Sequence, residues 1–311
     1  MPRIEKFTDF IEIINNHAED LIKDQIRDEV LLFRGHSDVK HILLPSIARK
    51  EDESEQSLLL FEQEMISKAI GKDPSIFYED KYTINLLVKL QHFGIPTRLL
   101  DVTYNALVAL YFSCINDFDK DGEVFVFKVT SNDADYVRFF NDKYVDIIAN
   151  MYKASDKVYP CDFNVFLKDN SFIQYNLGVN NNNPCIESSD DISTILNFVN
   201  EPLFVSPVEL SERQKRQQGA FIIFPNLIKE HPQEKEKYLM FCEINELEKE
   251  HSFVKERIII PKEKKKEFIR ILKNYGITEE FLFPDSTDII CKTIREESKY
   301  RLAKKVGEKS D

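Results

Sequence analysis

Between two helical stretches, the chain carries the segment Gln91-His92-Phe93-Gly94-Ile95-Pro96-Thr97-Arg98-Leu99-Leu100-Asp101-Val102-Thr103. The preceding residues, 82–93, have helical periodicity. Gly94 stands at the position where a glycine commonly ends a helix, and Pro96 follows shortly after. The segment therefore predicts a sharp turn between two helices.

Polar chemistry is concentrated in this turn. It holds an imidazole, a guanidinium, a carboxylate and two hydroxyls, whereas a plain connector needs only glycine and proline. This density indicates a functional site. The alternative is a capped turn, in which Thr103 or Asp101 caps the next helix and Arg98 binds the carbonyls of the previous one.

The pattern outside the turn alternates between helix and strand. Residues 104–115 are apolar nearly all round and predict a buried helix, and residues 122–129 alternate as a strand does. Further strands are expected at 30–33, 203–208, 220–224, 238–244 and 257–260, and further helices at 4–22, 54–70, 262–274 and 287–304. The mixture predicts an α/β (α+β) fold with a single mixed-sheet core flanked by helices.

The predicted organisation is one core with helical ends. Residues 1–29 form an N-terminal helical lead-in, residues 30–290 the core, and residues 291–311 a C-terminal helical tail. The Asn-rich segment 169–191 has little periodicity, which is typical of a loop or insertion. The chain has no internal repeat of fixed period.

Composition limits the classes of protein. The chain has 42% hydrophobic residues and a net charge of −12, which is typical of a globular protein and argues against broad attraction to nucleic acid. No apolar run reaches the roughly 20 residues that span a bilayer. The first ten residues read as a helix and not as a secretory signal, so no membrane association and a cytoplasmic location are expected.

Several kinds of site lack their sequence pattern. The five cysteines are scattered without a Cys-x-x-Cys pair, and the six histidines form no His-Glu-x-x-His cluster, so neither disulfides nor a metal site is expected. Glycine-rich nucleotide motifs and the Gly-x-Ser-x-Gly elbow are also absent from the sequence.

Two other stretches place polar residues beside apolar strands. Arg34 follows the apolar run 30–33, and it either forms an internal salt bridge with Asp101 or holds a phosphate or carboxylate bidentately. In the second case, Gly35 lets the ligand approach the backbone. Gln217 precedes the apolar strand that begins near Gly219, after a basic run that also fits a solvated face.

Together these stretches resemble the FRG domain family. The similar motifs are Phe33-Arg34-Gly35, Leu44-Pro45-Ser46 with Arg49, the segment from Gln91 to Thr103, Ala109-Leu110-Tyr111-Phe112, and Gln217-x-Gly219-x-Phe221. They run from about residue 30 to 224, and Leu282-Phe283-Pro284-Asp285 extends the resemblance to about 290. The chain departs from the family at Val102, where members commonly carry Trp.

The order of a strand-borne Arg, a Thr-containing segment and a later polar residue is also similar to that of ADP-ribosyltransferases. Where those enzymes have a glutamate, this sequence has Gln217 or Gln218. The likeness implies an enzyme that moves ADP-ribose from NAD to a protein or nucleic acid, as a bacterial toxin or anti-phage effector with a partner or antitoxin protein. The alternative is a noncatalytic FRG module that binds a small anionic ligand or a partner protein.

The likeness also implies residue roles. Arg34 would bind the pyrophosphate or ribose of NAD, Asp101 or Glu64 would stabilise the oxocarbenium-like transition state, and His92 would accept a proton. Thr97 or Thr103 would position the nicotinamide ribose, while Tyr111 or Phe93 would stack on the nicotinamide. The expected catalytic residues are His92, Asp101 and Gln217, and those expected to bind NAD are Arg34, Gly35, Thr97, Arg98, Thr103 and Tyr111.

Overall fold

The computed structural model describes residues 1–23, 30–50, 57–78, 82–129, 137–154, 199–208, 211–230, 239–241 and 243–284. The α-helices are α1 (Phe7–Lys23), α2 (Glu62–Lys72), α3 (Pro74–Phe77), α4 (Thr83–His92), α5 (Ala106–Cys114), α6 (Lys143–Ala149), α7 (Glu212–Arg216), α8 (Lys265–Asn274) and α9 (Glu279–Leu282). The strands are β1 (Val30–His36), β2 (Leu99–Thr103), β3 (Gly122–Val129), β4 (Arg138–Phe139), β5 (Leu203–Ser206), β6 (Gly219–Ile223), β7 (Ile228–Glu230), β8 (Leu239–Phe241) and β9 (Val254–Ile260). Short 3-10 helices lie at Ser46–Ala48, Leu58–Phe61 and Asn150–Ala154.

Seven strands form one mixed sheet in the order β4-β5-β6-β2-β1-β3-β9. The pairs are antiparallel except for β4 and β5, which are parallel. Strands β7 and β8 pair separately. The structure confirms the predicted α/β class with a mixed-sheet core and flanking helices.

The centre of this sheet is weakly joined. Strand β1 pairs with β3 from Val30 to His36, whereas its register with β2 consists of Phe33 opposite Thr103. Strand β2 pairs with β6 along its whole length. We call the β1–β2 boundary the seam, since it divides the sheet into the halves β4-β5-β6-β2 and β1-β3-β9.

Three apolar clusters cover the sheet. On one face, Phe33 and Val124 pack with α1, α5 and α8, while Leu99 and Phe221 pack with α4 and α6. Alternate strand residues, such as Leu100, point to the third cluster on the opposite face. Because β strands alternate their faces, Arg34 and His36 project from the same side of β1.

Helix α5 lies unusually close to β1 and β3 because both strands carry glycine at the contact. A Cβ atom on Gly35 would be 1.9 Å from the carbonyl oxygen of Ala109, and one on Gly122 would be 2.3 Å from that of Ser113. The two glycines thus let the helix backbone rest directly on the sheet.

The decisive correction concerns residues 99–103. They form strand β2 and not a turn between two helices, and Asn105, not Thr103 or Asp101, caps α5 by accepting from the backbone N–H groups of Leu107 and Val108. Gly94 does take up the positive φ of 84° expected after a helix. Only the second half of the predicted turn was therefore wrong.

Smaller differences lie elsewhere. The helix predicted to end at residue 70 continues to Lys72 as α2, with Gly71 inside it, and the strand predicted at 238–244 is β8, outside the main sheet. Strand β4 and helix α6 were not predicted. The segment 169–191 and the helix expected at 287–304 lie outside the described residues, and the domain boundaries at residues 29 and 290 stay predictions.

No helix within the described ranges combines the length and apolar character needed to cross a membrane. Cys114 is a free, buried thiol in α5, and burial raises its pKa to about 12. The other four cysteines fall outside the described residues. Within the described part of the chain, no three His, Cys, Asp or Glu side chains are grouped as metal ligands would be.

Candidate ligand-binding cavity

A cavity of about 460 Å³ lies at the seam. This volume is in the range of small-molecule sites. Its lining comes from β1, β2, the start of β6, the last turn of α4, one side of α5 and the segment that contains α7. Arg34, Asp101 and Gln217, which are far apart in sequence, all line it. The structure thus brings together the three stretches that the sequence singled out.

Arg34 lies in the strand and is held at two atoms. Its Nε donates to Nε2 of His36 at 2.9 Å, and its Nη1 donates to the backbone oxygen of Asp101 at 2.5 Å. The second contact spans the seam, where β1 and β2 lack a regular ladder. The remaining N–H groups of Nη1 and Nη2 meet no acceptor in the described part of the chain.

Positive charge exceeds negative charge around the cavity. Arg34, Arg49 and Arg213 line it, and Asp101 is the one carboxylate in the described lining. Burial and the nearby Arg49 lower the pKa of Arg34 to about 10, against the opposing attraction of Asp101. Burial also lowers the pKa of Arg49. Two arginines that stay charged near neutral pH, and that form no ion pair with a carboxylate of the described residues, make an anion-binding surface.

Asp101 is exposed to the cavity and oriented by a short chain of hydrogen bonds. Its Oδ1 accepts from Nε2 of Gln91 at 3.0 Å, and Oε1 of Gln91 accepts from the hydroxyl of Thr97 at 2.5 Å. Thr97 is buried and does not line the cavity. It acts on the cavity by fixing which way the Gln91 amide points.

Thr103 and Gln217 join β2 to the segment before β6. The Thr103 hydroxyl donates to the backbone oxygen of Gln217 at 2.6 Å, and the Gln217 amide donates to the backbone oxygen of Leu282, in α9, at 3.1 Å. The guanidinium of Arg213 lies 4.6 Å from the ring centre of Phe283. Gln217 and Arg213 thus connect the cavity wall to the segment 278–283.

Arg98 lies outside the cavity lining and is fully buried. Its guanidinium forms an ion pair with Glu62, and its Nη1 donates to the backbone oxygen of Phe224 and to Asn226 Oδ1. Neither reading of Arg98 made from the sequence, as an NAD ligand or as a cap on α4, describes these contacts. Its role in the structure is a buried polar link between α2, β2 and the end of β6.

Two other expected residues also lie away from the cavity lining. Tyr111 is buried in the cluster under α5, where burial raises its pKa, and its neighbour Phe112 faces the cavity instead. Glu64 is on the exposed side of α2, in an ion pair with Lys68. His92 lines the cavity and is exposed.

Gly35 also lines the cavity, but the space left by its missing side chain is filled by α5. The close approach attributed to a ligand is the approach of the helix backbone. Glycine is therefore required at position 35 by the packing of α5 against β1.

Some cavity residues had no assigned role in the sequence reading: His36, Arg49, Gln91, Phe112 and Arg213. His36 was recognisable because it is two residues from Arg34 on a strand, which places both side chains on one face. Arg213 lies on α7, in the segment between β5 and β6. The local sequence carries no signal that would place this segment against the cavity.

The comparisons with known proteins agree with the FRG motifs that lie before residue 122. The model of the FRG domain matches residues 29–122, and neither the curated proteins nor the solved structures gave a significant match. The matched region contains Arg34, Arg49 and Asp101 and stops before Gln217. Residues 29–122, which supply these charged groups of the cavity, are an FRG domain.

Proposed function

We propose that the cavity binds a phosphate-bearing nucleotide, that this nucleotide is NAD, and that the protein transfers ADP-ribose from it to a macromolecule. The observation that carries the proposal is the pair Arg34 and Arg49. Apart from the contact between Arg34 Nη1 and the backbone oxygen of Asp101, their terminal N–H groups meet no acceptor in the described residues. Guanidinium groups bind phosphate oxygens through two parallel hydrogen bonds. A diphosphate offers enough oxygens for both.

The choice of NAD is supported by the arrangement of the three stretches that are similar to those of ADP-ribosyltransferases. They lie on, or directly before, the neighbouring strands β1, β2 and β6, and they line the same cavity. A reaction at one ribose requires such convergence.

Asp101 and His92 suit the chemistry of this transfer. When the bond between ribose C1′ and the nicotinamide nitrogen breaks, its electron pair leaves with nicotinamide and positive charge develops on the ribose. The Asp101 carboxylate would stabilise that charge. His92 would take the proton that the acceptor loses as it bonds to C1′.

A second candidate is a noncatalytic anion-binding module. It is favoured by Gln217, which replaces the glutamate of ADP-ribosyltransferases with an amide that donates to Leu282. An amide cannot act as a carboxylate base. In this case the same arginines hold the ligand without breaking it.

The test uses NAD labelled in its adenylate part, incubated with the full chain and a cell lysate. We expect label on protein or nucleic acid, with release of nicotinamide. Arg34→Ala should abolish both, and Arg34→Lys should reduce them at least about tenfold because lysine lacks the planar fork. Arg270→Ala is the matched control, since Arg270 is exposed on α8 and outside the cavity lining.

The outcomes separate the two candidates. NAD binding that depends on Arg34, without transfer or nicotinamide release, favours the noncatalytic module. If the wild-type chain binds neither NAD nor ADP, nucleotide binding at this cavity is wrong for both candidates.

A further inference from the structure

His36 is a buried histidine of the cavity without a role so far. It is 4% exposed, and its ring meets that of Phe125 edge to face, with a centre-to-centre distance of 5.2 Å. It follows Arg34 by two residues on β1, so the two side chains lie next to each other on one face.

The contact with Arg34 fixes the chemical state of this ring. A guanidinium Nε can only donate a hydrogen, so Nε2 of His36 must be the acceptor and must be unprotonated. The ring hydrogen of the neutral form therefore lies on Nδ1. This atom is buried and has no hydrogen-bond partner among the described residues.

The surroundings hold His36 in this neutral form. Burial and the cations Arg34, Lys249 and Arg49, together with His41, lower its pKa to about 2. Glu123 is opposite His36 on β3, but its carboxylate is already paired with Lys249 and Arg257. A buried donor without an acceptor is costly, so the fold keeps this tautomer at the expense of stability.

We propose that His36 is a positioning residue, whose neutral imidazole holds the Arg34 guanidinium in the orientation that binds an anionic ligand. Arg49 repels Arg34, and a free arginine side chain would turn away from it toward water. With Nε fixed by His36 and Nη1 by Asp101, the other N–H groups are left for the ligand. Such preorganisation strengthens binding because less side-chain freedom is lost when the ligand arrives. The proposal rests on the anion binding proposed above.

The competing explanation is that His36 only fills space beside Phe125. Two substitutions distinguish these roles: His36→Phe keeps an aromatic ring but lacks the acceptor, and His36→Gln supplies an acceptor oxygen without the ring. His251→Phe is the matched control, because the His251 ring also lies beside a phenylalanine, with its centre 4.4 Å from that of Phe253, but is outside the cavity lining.

The probe is ADP, titrated by calorimetry into the full chain at pH 7.5, beside thermal unfolding of each variant. We expect His36→Phe to weaken ADP binding roughly tenfold or more, and His36→Gln and His251→Phe to change it by less than about threefold. ADP binding by His36→Phe that equals the wild type overturns the proposal. If His36→Phe does not fold, His36→Met carries the same test.

Arg34→Ala keeps this result separate from the proposed function. If it abolishes ADP binding while His36→Phe does not, anion binding stands and only the role of His36 is wrong. If Arg34→Ala also binds ADP as the wild type does, anion binding by Arg34 is wrong as well.

A spectroscopic measurement on the wild type needs no variant. The ¹⁵N shifts of the His36 ring should report a hydrogen on Nδ1 and a bare Nε2 throughout pH 5 to 8. A charged ring, or a hydrogen on Nε2, near pH 7 contradicts the contact on which the proposal depends.

Discussion

Arg98 and Glu62 show how a buried charge can look like a binding residue in a sequence. Both side chains are almost fully buried, and each is the other's ion partner. We expect Arg98→Ala to lower the free energy of unfolding by about 3–5 kcal/mol, because it leaves the Glu62 carboxylate buried without its cation. Denaturant titration measures this loss.

The control for Arg98 is an exposed ion pair on α2, the helix that also carries Glu62. Glu64 and Lys68 form an exposed pair four residues apart, and Lys68→Ala should cost no more than about 0.5 kcal/mol. An equally small cost for Arg98→Ala would return Arg98 to the list of candidate ligand-binding residues.

Asp146 predicts a pH dependence of stability. This buried carboxylate of α6 has an Oδ2 without a hydrogen-bond partner in the described residues, and burial raises its pKa from 3.8 to about 6. Between these values the folded chain binds a proton that the unfolded chain does not, so stability falls as pH rises from about 4 to about 6. Above about pH 6 the buried carboxylate is charged, and its charge lowers the free energy of unfolding.

Asp146→Asn should remove that cost. Its free energy of unfolding should exceed that of the wild type by on the order of 1–3 kcal/mol at pH 7.5, and the difference should vanish near pH 4. Unfolding curves at the two pH values measure the difference. A variant that is less stable at both would mean that the carboxylate is compensated in the folded chain.

At the scale of elements, the contact between α5 and the sheet depends on Gly35. A Cβ atom there would overlap the backbone of Ala109, and the backbone cannot move aside as a flexible side chain can. Gly35→Ala should therefore destabilise the chain by about 3 kcal/mol or more. Calorimetric melting measures the change.

Gly71 is the matched control for Gly35. It lies inside α2 with no heavy atom within 4 Å of its would-be Cβ, so Gly71→Ala should stabilise the chain by about 0.5–1 kcal/mol. Opposite signs for the two substitutions are expected. A neutral Gly35→Ala would show that α5 can shift from the sheet.

Strand β2 explains where sequence reasoning succeeded and failed. Gly94 and Pro96 are local signals, and they correctly placed the end of α4. The pattern Leu99-Leu100-Asp101-Val102 is too short to distinguish a strand from a capped turn, because its pairing partners are residues 219–223, far along the chain. Tertiary pairing decided the outcome here.

At the scale of the whole molecule, the matched FRG region is not a complete folding unit. It ends at Gly122, the first residue of β3, and it excludes β6 and β9. Strands β1 and β2 would each lose the neighbour with which they pair along their full length. We expect the fragment 29–122 to lack cooperative unfolding by circular dichroism, whereas the full chain unfolds cooperatively.

The candidate site could be predicted only in part, because local sequence shows residue types but not tertiary neighbours. Residue type and local spacing identified Arg34, Asp101 and Gln217, and these do line one cavity. Arg98 and Tyr111, which were also expected to bind NAD, are buried outside the cavity lining, because burial is a property of the assembled fold. A sequence shows that a guanidinium is present, but its partner is set by strands and helices far away in the chain.

The seam gives the centre of the sheet an unusual exchange behaviour. Amide hydrogens on the inner strands of a sheet usually exchange slowest with solvent. Here the backbone amides that face the seam, beyond the pair Phe33 and Thr103, should exchange sooner than those between β1 and β3. A ligand that contacts both Arg34, on β1, and Gln217, just before β6, would hold the two halves of the sheet together. Deuterium uptake at the amides of β1 and β2 that face the seam should then slow when the ligand binds.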